Sequence, residues 1–200
     1  SSGAGMAPAV DERNRNRLLA LCAEAARFYA DQLLTDAAET ARTYLRTREI
    51  DRSCATTFGL GFAPGTPDTL YRRLIELGYT MDETEEAGLC SRGEFGPYDR
   101  MRLRLIIPVA DAQGRVIAFG GRALGDGTPK YLNTPETVLF HKSRTLYLLD
   151  RARKSIQKGN TVVVVEGYLD ALMAHHYGIE NVVATLGTAI TTQHVQLLQR

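Results

Sequence analysis

Two groups of residues in this 200-residue chain have types and spacings that could do chemistry. The first is Val165-Glu166-Gly167-Tyr168-Leu169-Asp170, which closes the run Thr161 to Val165 (TVVVV). A continuous β-branched run is the pattern of a strand buried on both faces. Glu166 then falls at the C-terminal end of that strand, where open α/β sheets bind ligands. Gly167 lets the backbone turn tightly and another group approach. A carboxylate so placed can bind Mg²⁺ through oxygen or act as a general acid or base. It can equally cap the following helix, Asp170 included, and the residues alone leave both readings open.

The second group is basic. Arg102 and Arg104 are two apart on an expected strand and should project from one face. Gly120-Gly121-Arg122 ends the next strand, and Pro129-Lys130-Tyr131-Leu132-Asn133 sets a lysine, a ring and an amide side by side. Phe140-His141-Lys142 and Arg144 complete the set. Arginine forks grip phosphate bidentately and lysine acts as a point charge. A ring beside a cation can stack a base. The chain's net charge of +1 hides this asymmetry: Arg100 to Lys158 holds twelve Lys/Arg against four Asp/Glu, so the remainder carries a net −7. A basic middle in an acidic chain suits a protein that grips polyanions locally. The competing reading is a solvated surface laced with salt bridges.

Other chemistries find no support. His141, His175, His176 and His194 form no HExxH or comparable ligand set. There is no GxxxxGK[ST], no GxSxG and no Cys/His nucleophile pair. Cys22, Cys54 and Cys90 lie far apart with no CxxC, which points to reduced, packed thiols and to no zinc module. Hydrophobic content of 44% and charged content of 24% are ordinary for a globular protein. No run approaches the ~18 apolar residues of a membrane span. No secretory pattern heads the chain, so a cytoplasmic protein is expected.

These residues need elements to hold them. Residues 1–10 read as a tag or disordered leader, with Ser1 to Met6 resembling a cloning scar. Asp11 to Thr47 is helical, with Leu18, Leu19, Cys22, Ala25, Ala26, Tyr29 and Leu33 on one face and a second helix after Thr35-Asp36. Further helices are expected at Asp51–Thr57, Asp68–Leu77 and Met81–Ala87, and a polar loop from Gly88 to Asp99. Met101 to Val109 and Arg115 to Phe119 read as a hairpin about Asp111-Ala112-Gln113-Gly114, joined by a short strand at Tyr131 to Asn133. A helix at Ala152–Gln157 precedes strand Thr161–Val165, helix Leu169–Tyr177, strand Asn181–Thr185 and a helix from Thr191.

Several blocks together resemble bacterial DnaG-type primases. They are Phe58-Gly59-Leu60-Gly61-Phe62-Ala63-Pro64, Arg102-Leu103-Arg104 leading to Ile107-Pro108, and Gly114 to Arg122 (GRVIAFGGR). They continue with Pro129 to Thr137 (PKYLNTPET), Phe140-His141-Lys142, Glu166 to Asp170 (EGYLD) and Leu186-Gly187-Thr188-Ala189. Departures are small: Ala110 where Arg is frequent, Ala118 for Gly, Thr134 for Ser, and Arg48-Glu49-Ile50 without a frequent Gly.

The resemblance implies an α+β N-terminal subdomain of helices and short antiparallel strands over residues 11–158. An incomplete α/β Toprim fold would follow over residues 159–200. It implies a DNA-directed RNA polymerase, a nucleotidyltransferase that makes RNA primers on single-stranded DNA for replication. Glu166 would be the Toprim glutamate of a Mg²⁺- or Mn²⁺-dependent site, with Lys130 and Arg122 as catalytic partners. Arg102, Arg104, Arg122, Lys130, Tyr131, Asn133 and Lys142 would hold nucleotide and nucleic acid. Implied partners are template DNA, the RNA primer/DNA hybrid, NTPs and a replicative helicase bound through another domain, at a bacterial nucleoid or replisome. The family's acidic strand and Asp-x-Asp pair are expected beyond this sequence, so the 200 residues alone should bind nucleic acid or nucleotides without polymerising.

Overall fold

A computed structural model describes residues 7–199, with side chains from residue 12. Helix α1 (Ala7–Gln32) begins inside the expected leader, and residues 1–6 lie outside the described residues. Its inward face is Leu18, Leu21, Cys22, Ala25 and Tyr29, each at most 1% exposed. That spacing of three and four is the stripe a helix must bury. A 3-10 turn (Asp36–Ala38), α2 (Glu39–Thr47) and α3 (Arg52–Thr57) follow. α3 starts where the Asp51 carboxylate accepts the Cys54 N–H at 2.7 Å.

Strand β1 (Gly61–Ala63) passes so close to α1 that a Cβ on Gly61 would sit 2.6 Å from the Tyr29 backbone. Helices α4 (Thr69–Glu76) and α5 (Met81–Glu86) come next, the second opened by a Thr80/Glu83 capping box. The segment expected as a polar loop is instead a hairpin, β2 (Cys90–Gly93) with β3 (Gly96–Asp99). Its Ser, Arg, Gly and Pro content hides the strand signal; pairing and the burial of Cys90 and Asp99 supply what propensity does not.

The main sheet is antiparallel in the order β1–β4–β5–β6, with β4 (Arg104–Ala110), β5 (Val116–Ala123) and β6 (Tyr131–Asn133). The β4–β5 turn is tied by the Asp111 carboxylate, which accepts the Gln113 and Arg115 N–H groups at 3.0 Å each, and Gly114 takes φ +82°. A 3-10 turn (Lys142–Arg144) leads to α6 (Leu149–Gly159), β7 (Val163–Val165), α7 (Tyr168–His176), β8 (Val182–Ala184) and α8 (Thr192–Leu198).

β7 and β8 pair in parallel, and Tyr147 bridges the far side of β8 at Ala184. The fully buried strand is therefore β8. β7, expected to be buried on both faces, is the outer strand of the pair, with Val163 44% exposed. A valine run reports β propensity; which strand lies inside depends on its neighbours. All three cysteines are buried and free, and burial raises the Cys22 thiol to about 12.

Candidate nucleic-acid interface

The register of the main sheet sorts the basic residues onto two faces. Arg122 on β5 lies opposite Tyr131 on β6, and Gly120 lies opposite Asn133. Paired and alternate residues share a face, so Arg122, Tyr131 and Asn133 stand together. Gly120 between them carries no side chain, and the Tyr168 ring fills that space: a Cβ there would lie 2.6 Å from it. The Tyr168 hydroxyl donates to Asn133 Oδ1, and Asn133 Nδ2 donates to the Leu186 carbonyl at 3.3 Å. The two ends of the Asn133 amide thus tie β6 to the start of α7 and to the loop after β8. Tyr168 also packs edge-on against Tyr147 at 5.0 Å, and burial holds its phenol well above the usual tyrosine range.

Arg104 lies elsewhere. It pairs with Ala123, which places it on the face opposite Arg122. It is 7% exposed and donates to the backbone carbonyls of Gly121 (3.1 Å) and Pro129 (2.8 Å). Burial lowers its pKa without neutralising a guanidinium. Arg104 therefore braces the connection that carries Lys130, and the expectation that it projects beside Arg102 is corrected. Arg102 precedes β4, because Leu103 adopts φ +49° and breaks the extended run. Arg102 is exposed, its guanidinium 5.7 Å from the Tyr98 ring.

Lys130 is exposed and Tyr131 is 39% exposed. Lys142 is half-buried in its 3-10 turn. That turn is held from two sides: the Lys142 N–H donates to Glu136 Oε1 at 3.1 Å, and the buried His194 ring donates to the Lys142 carbonyl at 2.8 Å. His194 also accepts the Thr191 N–H at 3.1 Å, which fixes its tautomer and leaves neither ring nitrogen for a metal.

Glu166 occupies the bend between β7 and α7 and is exposed. Gly167 is the cap residue of α7, and no side chain caps that helix. The capping reading of Glu166 is thus not the one the geometry favours. Among the described residues, no three His, Cys, Asp or Glu side chains gather where they could hold an ion. Two-metal phosphoryl transfer needs several carboxylates on ions ~3.5–4 Å apart. One exposed glutamate does not meet that need, and no step through a metal follows from these residues.

Two residues with no sequence signal of function enter the site. Tyr168 is internal to the Glu166 motif yet earns its place only through the gap at Gly120. Tyr44 on α2 lies with its ring centroid 4.0 Å from the Arg122 guanidinium carbon and 5.3 Å from that of Arg48. No spacing rule links residue 44 to residue 122.

Residues 28–153 match the family described as DNA primase catalytic core, N-terminal domain, and residues 160–200 match the Toprim domain. The chain is 45% identical over 193 residues to the DNA primase of Mycolicibacterium smegmatis, covering 95% of this chain and 30% of that protein. It is 45% identical over 190 residues to the DNA primase of Synechocystis sp., covering 93% and 30%. It therefore spans about a third of the length of its curated relatives. The RNA polymerase domain of Mycobacterium tuberculosis primase DnaG superposes with a TM-score of 0.91 at 44% identity, covering 93% of this chain and 61% of that one. A DnaG primase catalytic domain solved bound to single-stranded DNA superposes at 0.85 and 40% identity, covering 94% and 59%. Agreement over nearly the whole chain, in sequence and in fold, places this protein in the DnaG-type DNA primase family, as the N-terminal domain of the catalytic core followed by a Toprim segment.

Proposed function

We propose that this chain forms the part of a primer-synthesising RNA polymerase that holds nucleotide phosphates and single-stranded DNA. The observation that carries the reading is one face of the main sheet where Arg122 and Tyr131 stand beside the Glu166–Tyr168 bend, with Asn133 tying the two together. Arg122, Lys130 and Lys142 neutralise phosphates, and Tyr131 offers a ring to a base or sugar. Arg102, exposed at the mouth of β4, follows the strand's backbone. Arg104 and Asn133 keep these groups in place. Glu166 supplies one carboxylate to Mg²⁺ or Mn²⁺. The primase core N-terminal subdomain is taken to run to about residue 158, with the Toprim part from residue 159.

For the whole protein, the reading extends to RNA primer synthesis from NTPs on a DNA template, an RNA/DNA hybrid product, a replicative helicase as partner and a place at the replisome. The 200 residues alone are proposed to bind without polymerising, since the described residues hold no acidic cluster. Counterion release then sets the test. Anisotropy of a labelled dT12 oligonucleotide should give a log K against log salt slope of about −2, as for roughly three phosphates on a single strand. Arg122→Ala and Lys130→Ala should each flatten that slope. A slope near zero, or both variants binding as tightly as the parent, removes the reading. Primers made by these 200 residues from NTPs, template and Mn²⁺ would remove the claim that they only bind.

A further inference from the structure

The partner of Arg122 on the protein side is a ring. Its guanidinium carbon is 4.0 Å from the Tyr44 centroid, within stacking distance and well inside the ~6 Å reach of a cation–π contact. One N–H of Nη1 donates to the Ala123 carbonyl at 2.8 Å. Nε is buried with no hydrogen-bond partner. The remaining donors, on Nη1 and Nη2, have no protein acceptor among the described residues. A guanidinium held this way keeps one edge against protein and offers the other.

The Tyr44 side chain is half-buried and packs against the hydrophobic core. It sits on α2 between Ala41 and Leu45, both buried, and its hydroxyl is buried without a partner. The Tyr131 phenol approaches that hydroxyl without reaching hydrogen-bond geometry, and desolvation raises the Tyr44 pKa. A buried hydroxyl with nothing to bond costs stability, so hydrogen bonding does not explain this side chain. What it does provide is a flat, rigid surface for a side chain that otherwise carries large rotamer freedom.

We infer that Tyr44 is a positioning residue: its ring presents the free guanidinium edge of Arg122 to the phosphate oxygens of a nucleotide or a nucleic-acid strand. The inference rests on the reading of Arg122 as a phosphate-binding residue and adds α2 to the interface. Loss of the ring leaves the charge but lets it wander, so ligand binding weakens while the fold persists.

A double-mutant cycle tests it with two probes that separate the phosphate sources: labelled dT12 followed by anisotropy, and ATP followed by calorimetry. Arg122→Ala should weaken at least one probe. Tyr44→Leu should weaken that same probe about three- to tenfold, the range of a partly desolvated cation–π contact. In the Arg122→Ala background, Tyr44→Leu should change nothing further. Tyr44→Phe should bind within about twofold of the parent, because the ring and not the hydroxyl acts. If Tyr44→Leu does not fold by circular dichroism, Tyr44→Met takes its place: it removes the ring, keeps apolar volume on α2 and should lose affinity to the same degree.

Losses that multiply in the double variant, or a Tyr44→Phe chain as weak as Tyr44→Leu, overturn the positioning role while leaving the phosphate reading of Arg122 standing. An Arg122→Ala chain that binds both probes as tightly as the parent overturns the two together.

Discussion

At the scale of single residues, Gly120 decides whether Tyr168 can reach Asn133 in the proposed interface. The Tyr168 ring lies where its Cβ would be, 2.6 Å from the nearest ring carbon, and the Tyr168 hydroxyl in turn holds Asn133. Gly120→Ala must push that ring aside in a packed site. The expected loss is about 1–3 kcal/mol in urea unfolding, as for other overpacked positions. Weaker dT12 binding should accompany it, because β6 loses its tie to α7. A variant with parental stability and affinity would show that the ring moves at no cost. The basic residues were legible in the sequence as a set, since their charge density needs no structure to count. Their roles were not. Arg104 and Arg122 are both strand arginines, yet one is a buried brace and the other a half-exposed, ring-backed donor. That difference comes from strand register and from the left-handed Leu103, neither of which residue type reports.

At the scale of elements, α2 ends in a Schellman motif: the Ile50 N–H reaches the Leu45 carbonyl at 2.9 Å and the Glu49 N–H reaches Arg46 at 3.0 Å. The residue in the left-handed position is Glu49, at φ +59°. α4 and α7 end the same way with glycines, Gly78 and Gly178, at that position. A non-glycine residue there costs about 1–2 kcal/mol, and glycine's own entropy returns about 0.5–1 of it. Glu49→Gly should therefore stabilise the chain by about 0.5–1 kcal/mol in chemical denaturation. No gain would mean that the long 3.4 Å contact from Tyr177 to Glu49 matters more than its length suggests. Helices were the most readable elements because their apolar period repeats over several turns; α4 and α5 fall within two residues of expectation. The β2–β3 hairpin was not readable, because four-residue strands built from Cys, Ser, Arg, Gly and Pro carry no period to detect.

At the scale of the whole molecule, pH dependence should show the cost of one buried carboxylate. Asp99 is 2% exposed and accepts the Leu70 and Tyr71 N–H groups at 2.8 and 2.9 Å. Burial outweighs those bonds and raises its pKa from the ordinary value of 3.8 to about 6. Between these values the folded chain binds a proton that the unfolded chain has released. This group's contribution to stability is thus full below about pH 4 and lost as pH rises through about 6. The size is on the order of 2–3 kcal/mol. Asp99→Asn, which mimics the protonated acid, should flatten the stability curve across that window when urea midpoints are compared from pH 4.5 to 7.5. Parallel curves for parent and variant would assign the slope to other groups. Glu39 is exposed and held down to about 2 by Arg46 and Arg42, so it acts in the opposite sense and below this window.

By itself the sequence determined the family, the order of the helices from α1 to α8 and of the strands outside the β2–β3 hairpin, the packed thiols and the concentration of positive charge between Arg100 and Lys158. Each of these is set by residue type, by local period or by motif, which are properties of a linear chain. Tertiary structure alone decided which face each arginine occupies, that β8 and not β7 is the buried strand, and that Tyr44 lies against Arg122. The physical reason is that such facts depend on strand register and on contacts between segments distant in sequence. A one-residue shift in register reverses every side chain on a strand without altering its sequence.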